Sequence, residues 1–122
     1  MPDTLQHLAG TPVFVCASDG APLRDERDAT EVIGEGYYQG AAWVAVPVER
    51  LTDDFFRLRT RVAGDIVQKF ATYRLKLAVV GDISQHLEAG TALRDFVREC
   101  NRGTQIWFVP DIDALGARLA ES

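Results

Sequence analysis

Apolar residues recur along this chain in two alternating rhythms, one suited to strands and one to helices. TLQHL (4–8) alternates weakly with a period of two, and TPVFVCAS (11–18) is β-branched and apolar. The Ala-Gly pair between them can fold the two back as a hairpin. DGAPL reads as a turn. In RDERDATEVIGEGYYQG (24–40), Ala29, Val32, Ile33 and Tyr37 share one helical face and the charges take the other, while glycines at 34, 36 and 40 should fray the end. AAWVAVPV (41–48) and LKLAVVGD (75–82) are almost continuously apolar, the pattern of strands covered on both faces. Pro47 should close the first of these, because proline cannot donate to a ladder. ISQHLEAG is a polar loop. In TALRDFVRECNRG (91–103), Leu93, Phe96, Val97 and Cys100 line one helical face, with Thr91 placed to cap the start and Gly103 to end it. TQIWFVPD supplies a last strand, and DIDALGARLAES a terminal helix with Leu115 and Leu119 one turn apart.

Residues 52–74, TDDFFRLRTRVAGDIVQKFATYR, predict one long amphipathic helix capped by Thr52 or Asp53. At about 100° per residue, Phe55, Phe56, Leu58, Val62, Ala63, Ile66, Val67, Phe70 and Tyr73 fill a broad apolar arc. Arg59 falls near its centre. Arg57, Arg61, Asp65, Gln68, Lys69 and Thr72 crowd the other side, where Arg61 with Asp65 and Asp65 with Lys69 have the spacing of ion pairs. Gly64, on the seam between the faces, would permit close approach of a neighbouring helix or another protein.

The predicted order ββαβαβαβα calls for an α/β domain with a sheet of about five strands, parallel over most of its width, as alternating strands and helices require. No internal repeat or domain boundary interrupts residues 1–122. Ligands of open parallel sheets bind at the carboxyl edge of the strands. Besides Arg59, that edge should carry Ser18, Asp19, Glu49, Asp82, Ser84 and Asp111. Two readings of Arg59 follow. It forms a buried ion pair with Asp82 or Asp111, or it offers its donor fork to an anionic ligand or a partner's carboxylate.

Composition narrows the function classes. A hydrophobic share of 47% and a charged share of 25% are ordinary globular values. The net charge of −5 opposes attachment to nucleic acid or anionic lipid, so neither partner is expected. Apolar runs are too short to span a membrane, and the acidic, polar start does not resemble a signal peptide, which together predict a cytoplasmic protein. Cys16 and Cys100 lie in apolar segments, where thiols act as small core residues and a disulfide is not expected.

The stretches DFFRLRTRVAGDIVQKFATYRLKLAVVGDIS (54–84) and LRDFVRECNRG (93–103) resemble the signature of a bacterial family known as domain of unknown function 4180. The likeness extends over nearly the whole chain and is densest in DFF, the T…AG…QKF…Y spacing, the strand closing on GD, and the helix ending in E-x-N-R-G. It implies kinship and carries no activity with it. The element order is also similar to that of sulfate-transporter and anti-sigma-factor-antagonist (STAS-like) domains, which are small partner-binding switches. In those antagonists a serine at the start of the second helix accepts phosphate. Thr52 is the corresponding candidate phosphoacceptor, but the flanking Asp53 and Asp54 would repel a phosphate, and helix capping is the simpler role.

Catalytic chemistry finds little support. His7 and His86 lack metal-ligand spacing, Cys16 has no local charged activator, and VVGDIS is not a phosphate-binding loop. Asp19, Asp82 and Asp111 could hold Mg²⁺ as in a phosphoacceptor receiver, although the adjacent acid pair and lysine of such receivers are missing. Trp43 and Trp107 lie in strands and should pack in the core. Asn101 and Arg102 fit either a polar recognition tip or a plain helix terminus. The expected function is a non-catalytic partner-binding or regulatory module without a cofactor, acting through the carboxyl edge and the start of the long helix, with self-association left open. The alternative is a small-molecule sensor or enzyme with an anion or Mg²⁺ site near Arg59, Asp82 and Asp111.

Overall fold

The strand-like segments become Thr4–Leu8 (β1), Thr11–Val15 (β2), Trp43–Pro47 (β3), Lys76–Val80 (β4) and Ile106–Val109 (β5) in the computed structural model, which describes residues 2–121. They form one sheet in chain order, β1-β2-β3-β4-β5, antiparallel between β1 and β2 and parallel elsewhere. The hairpin turns at Ala9 and Gly10, with φ of 51° and 80°. Positive φ at both central residues matches the twist of the flanking strands, and glycine adopts it freely. The chain is thus one α/β domain with a mostly parallel five-stranded sheet.

Because each parallel strand lies beside its predecessor, right-handed crossovers put every connecting helix on the same face. Those helices are Glu26–Tyr38 (α1), Asp53–Phe56 (α2), Val62–Thr72 (α3), Ser84–Leu87 (α4) and Thr91–Arg102 (α5). The main core lies beneath them, where Phe14, Val44, Leu77 and Ile106 from the sheet meet Ile33, Phe55, Ile66, Phe70 and Leu93 from the helices. The opposite face, bearing Val13, Trp43, Ala45, Ala78 and Trp107, is covered by Ile112–Glu121 (α6) through Leu115 and Leu119. Both tryptophans are in this second core, their ring centroids 4.4 Å apart. The Arg118 guanidinium lies 3.9 Å from the Trp107 ring centroid, a cation–π contact.

Several local expectations are corrected. The buried face of α1 is Ala29, Val32, Ile33 and Gly36, and Tyr37 is 67% exposed. Gly36 takes the inward position because a Cβ there would sit 3.3 Å from Val44, so the helix rests directly on the sheet. The other helix glycines do not fray α1, which runs to Tyr38 with its start capped by the Asp25 carboxylate. Gly90, not Thr91, occupies the cap position of α5, and the expected loop after β4 contains α4. Gly64 is exposed with nothing within 4 Å of an added Cβ, so among the described residues no helix approaches it.

Residues 52–74 do not form one helix. After α2 the chain makes a 3₁₀ turn, Leu58–Thr60, and passes through Arg61 at φ 65° before α3 begins. Thr60 holds this break together. Its single O–H is shared between the carbonyls of Asp54 at 2.6 Å and Arg57 at 2.8 Å, and its oxygen accepts from the Val62 N–H at 3.3 Å. Phe55 and Phe56 can then dock in a different direction from Ile66 and Phe70, and all four are buried.

Candidate functional site at the carboxyl edge

The break in the helix decides where Arg59 lies. A residue on the 3₁₀ turn is no longer in phase with α3, and Arg59 is exposed rather than buried in the apolar arc. Among the described residues its side chain makes no hydrogen bond or ion pair, so the expected bond to Asp82 or Asp111 is absent. The pairs expected of Asp65 with Arg61 and with Lys69 are absent as well, Arg61 having left the helix.

Each predicted carboxylate has a local position instead of a shared one. Asp82 Oδ1 accepts the Ser84 N–H at 2.9 Å at the start of α4, and this bond holds the Asp82 carboxyl below its ordinary range. Asp111 Oδ1 accepts the Ala114 N–H at 2.7 Å at the start of α6. The Asp111 bond caps α6, and the Asp82 bond closes a local turn two residues long before α4, whose own cap position is Ile83. Ser18 and Asp19 are exposed after β2, Glu49 on the 3₁₀ turn after β3, and Ser84 at the first position of α4. Among the described residues no three His, Cys, Asp or Glu side chains are grouped to hold a metal ion, Asp19, Asp82 and Asp111 included.

Thr52 stands at the cap position of α2, but its side chain makes no capping bond. Its Oγ1 is buried without a hydrogen-bond partner among the described residues.

A guanidinium is lodged at this edge, but it belongs to Arg50, at the end of the 3₁₀ turn Val48–Arg50 after β3. Arg50 is 6% exposed and is the buried charged residue among those described. Its Nε donates to the Ala21 carbonyl at 2.8 Å, and its Nη1 donates to Asp3 Oδ1 at 3.0 Å and Oδ2 at 3.1 Å. Asp3 Oδ1 also accepts the Ala17 N–H at 2.7 Å. Gly20 lies flat over the guanidinium, where a Cβ would be 2.6 Å from Arg50 Cζ. Arg50 and Asp3 thus fasten the β2–α1 loop to the end of β3. Sequence reading missed this pair, and the one local signal was an arginine two residues beyond a continuous apolar run.

The exposed chemistry of the edge is concentrated in R-L-R-T-R, where Arg57, Arg59 and Arg61 project from the turn fixed by Thr60. Arg57 lies 3.7 Å from Asp54 in an exposed pair, which contributes little stability. Beside the turn is a cleft of about 250 Å³ lined by Asp53, Phe56, Arg57, Gln85, His86 and Ala89. Phe56 and His86 stack at 3.9 Å with 11° between ring planes and form one wall. Both thiols are held above their ordinary range. Burial, reinforced by Asp3, pushes Cys16 up to about 12, and burial pushes Cys100 up to about 11. Both cysteines are free.

Asn101, expected either at a recognition tip or at a plain helix end, closes the last strand. Its Oδ1 accepts the Phe108 N–H of β5 at 2.7 Å, and its backbone carbonyl accepts a bond from Arg118. One N–H on the outer edge of β5 is thereby occupied and unavailable to another strand.

Among known proteins, a family described as Domain of unknown function (DUF4180) matches residues 8–119. No curated protein and no solved structure gives a significant match. Among the described residues, no helix is long and apolar enough to cross a membrane.

Proposed function

The chain belongs to the DUF4180 family, and on that premise we propose that it is a non-catalytic, cytoplasmic partner-binding module of bacterial type, whose recognition element is the arginine turn at residues 57–61. One observation carries this reading. Arg59 and Arg61 are exposed and unpaired among the described residues, on a backbone held in place by the hydrogen bonds of Thr60.

A guanidinium fork binds carboxylates through paired, charge-assisted hydrogen bonds. Mounting several on a fixed turn reduces the conformational entropy lost on binding. The partner surface is therefore a short acidic protein segment. The net charge of −5 repels large acidic bodies at a distance, and salt screens that repulsion beyond about 8–10 Å. Contact is thus confined to a segment that reaches the turn and the adjoining cleft. Consecutive strand order with all crossovers on one face supports the likeness to STAS-like switches, which is an analogy of architecture only.

The test is affinity isolation with the wild-type protein and the double variant Arg59→Glu, Arg61→Glu. Neither side chain holds the fold, so the melting temperature should be unchanged. A partner retained by the wild type at low salt should be lost from the variant and released as salt rises. Identical sets of captured proteins from the two forms would reject the arginine turn as the binding element.

A further inference from the structure

A cavity of about 820 Å³ lies at the opposite end of the domain, where α1 and α3 end and β3 and β4 begin. Its size falls in the roughly 300–1,000 Å³ range of small-molecule sites. Tyr37 and Tyr73 line it while remaining 67% and 44% exposed. Neither ring stacks on another aromatic ring among the described residues. Ile33, Ala41 and Leu75 supply apolar surface.

Two backbone features keep this groove open and charged. Gly34 lies inside α1, where glycine costs about 1 kcal/mol relative to alanine. A Cβ there would meet nothing within 4 Å, so no packing within the chain requires the glycine. Arg74 is a non-glycine residue at φ 58°, a conformation rare for L side chains. That conformation sets it at the lip of the groove, and its guanidinium has no partner among the described residues.

We propose that the groove binds a planar aromatic molecule carrying one anionic group, its ring system between Tyr37 and Tyr73 and its anion on Arg74. The electrostatics fix this orientation. The Thr30 hydroxyl donates to the Glu26 carbonyl at 2.8 Å and the Thr72 hydroxyl to the Gln68 carbonyl at 2.9 Å, so their donors are already engaged. The carboxyl ends of α1 and α3 carry partial negative charge that excludes the anion from the interior. Arg74 is left as the charged donor of the groove. This site is independent of the arginine turn and lies at the edge opposite the usual ligand crevice of parallel sheets.

The test uses anilinonaphthalene sulfonate and its uncharged counterpart phenylnaphthylamine, with fluorescence as the readout. Both should bind the wild type saturably at one site per chain. Gly34→Leu, which fills the groove, and Tyr73→Ala, which removes a wall, should abolish binding of both probes while thermal unfolding remains cooperative. Arg74→Gly suits the left-handed backbone and should fold at least as stably. It should weaken the sulfonate about tenfold, the loss expected for one charge-assisted bond, and leave phenylnaphthylamine unchanged. The Arg59→Glu, Arg61→Glu variant should bind both probes normally. Failure of the wild type to bind, unaltered binding by Gly34→Leu and Tyr73→Ala, equal weakening of both probes by Arg74→Gly, or loss of the sulfonate from the Arg59, Arg61 variant would each overturn the proposal.

Discussion

Replacing Arg50 with alanine removes one guanidinium and leaves several groups without partners. The Ala21 carbonyl loses its 2.8 Å donor, and Asp3 loses two contacts near 3.0 Å. Breaking a buried ion pair by removing one member destabilises by about 3–5 kcal/mol. The Asp3 side chain remains 27% exposed and keeps the Ala17 N–H, so the expected loss is at the low end, about 3 kcal/mol. Gly20→Ala should act through the same group. Its Cβ would stand 2.6 Å from Arg50 Cζ, forcing the guanidinium out of at least one hydrogen bond, at roughly 1.5–3 kcal/mol. With Arg50 already alanine that clash is gone, and Gly20→Ala should be neutral or stabilising by up to about 1 kcal/mol through the unfolded chain. Urea denaturation followed by circular dichroism on the four members of this cycle measures the coupling, expected at about 1.5 kcal/mol or more. If Arg50→Ala changes stability by less than about 0.5 kcal/mol, or the two changes simply add, the guanidinium is not fastening the loop.

Thr52→Val exchanges a buried, unbonded hydroxyl for a methyl of similar shape, and should raise stability by about 1 kcal/mol in the same urea assay. Asn101→Ala leaves the Phe108 N–H without its acceptor; the expected loss is about 1–2 kcal/mol, with self-association by light scattering rising as the β5 edge opens. With its thiol held near 12, Cys16 presents roughly one thiolate in 10⁴ at pH 8, so a disulfide reagent should modify it rapidly only in denaturant. Both folded thiols lie above their ordinary value of 9.0, so the unfolded chain gives up its protons first. Their contribution to stability is present below pH 9 and lost as pH rises towards 12.

Sequence pattern made the sheet legible because each parallel strand is covered on both faces and so reads as a continuous apolar run. Trp43 and Trp107 could be assigned to the core on the same ground. The arginines could not be sorted in this way. R-L-R-T-R contains neither glycine nor proline, and its departure from helix depends on Thr60 bonds and on the separate docking of Phe55 and Phe56. A helical wheel drawn across it therefore placed Arg59 inside. Arg50 escaped notice because its partner Asp3 is 47 residues away, beyond any local periodicity. Tyr37 was misplaced by one position because glycine counts as neutral in an amphipathic pattern, although contact with the sheet selects it. The candidate site was legible only as an edge: its loops were anticipated, while its locally bonded carboxylates and its projecting arginines exchanged roles.

Placing every crossover helix on one side leaves the other side to α6 alone, and both tryptophans lie on that side. Indole emission is thus an intrinsic gauge of whether the last helix is seated against its face of the sheet. A chain lacking that seating would retain most of its far-ultraviolet dichroism while its fluorescence reported water, so the two signals separate the halves of folding without any added label.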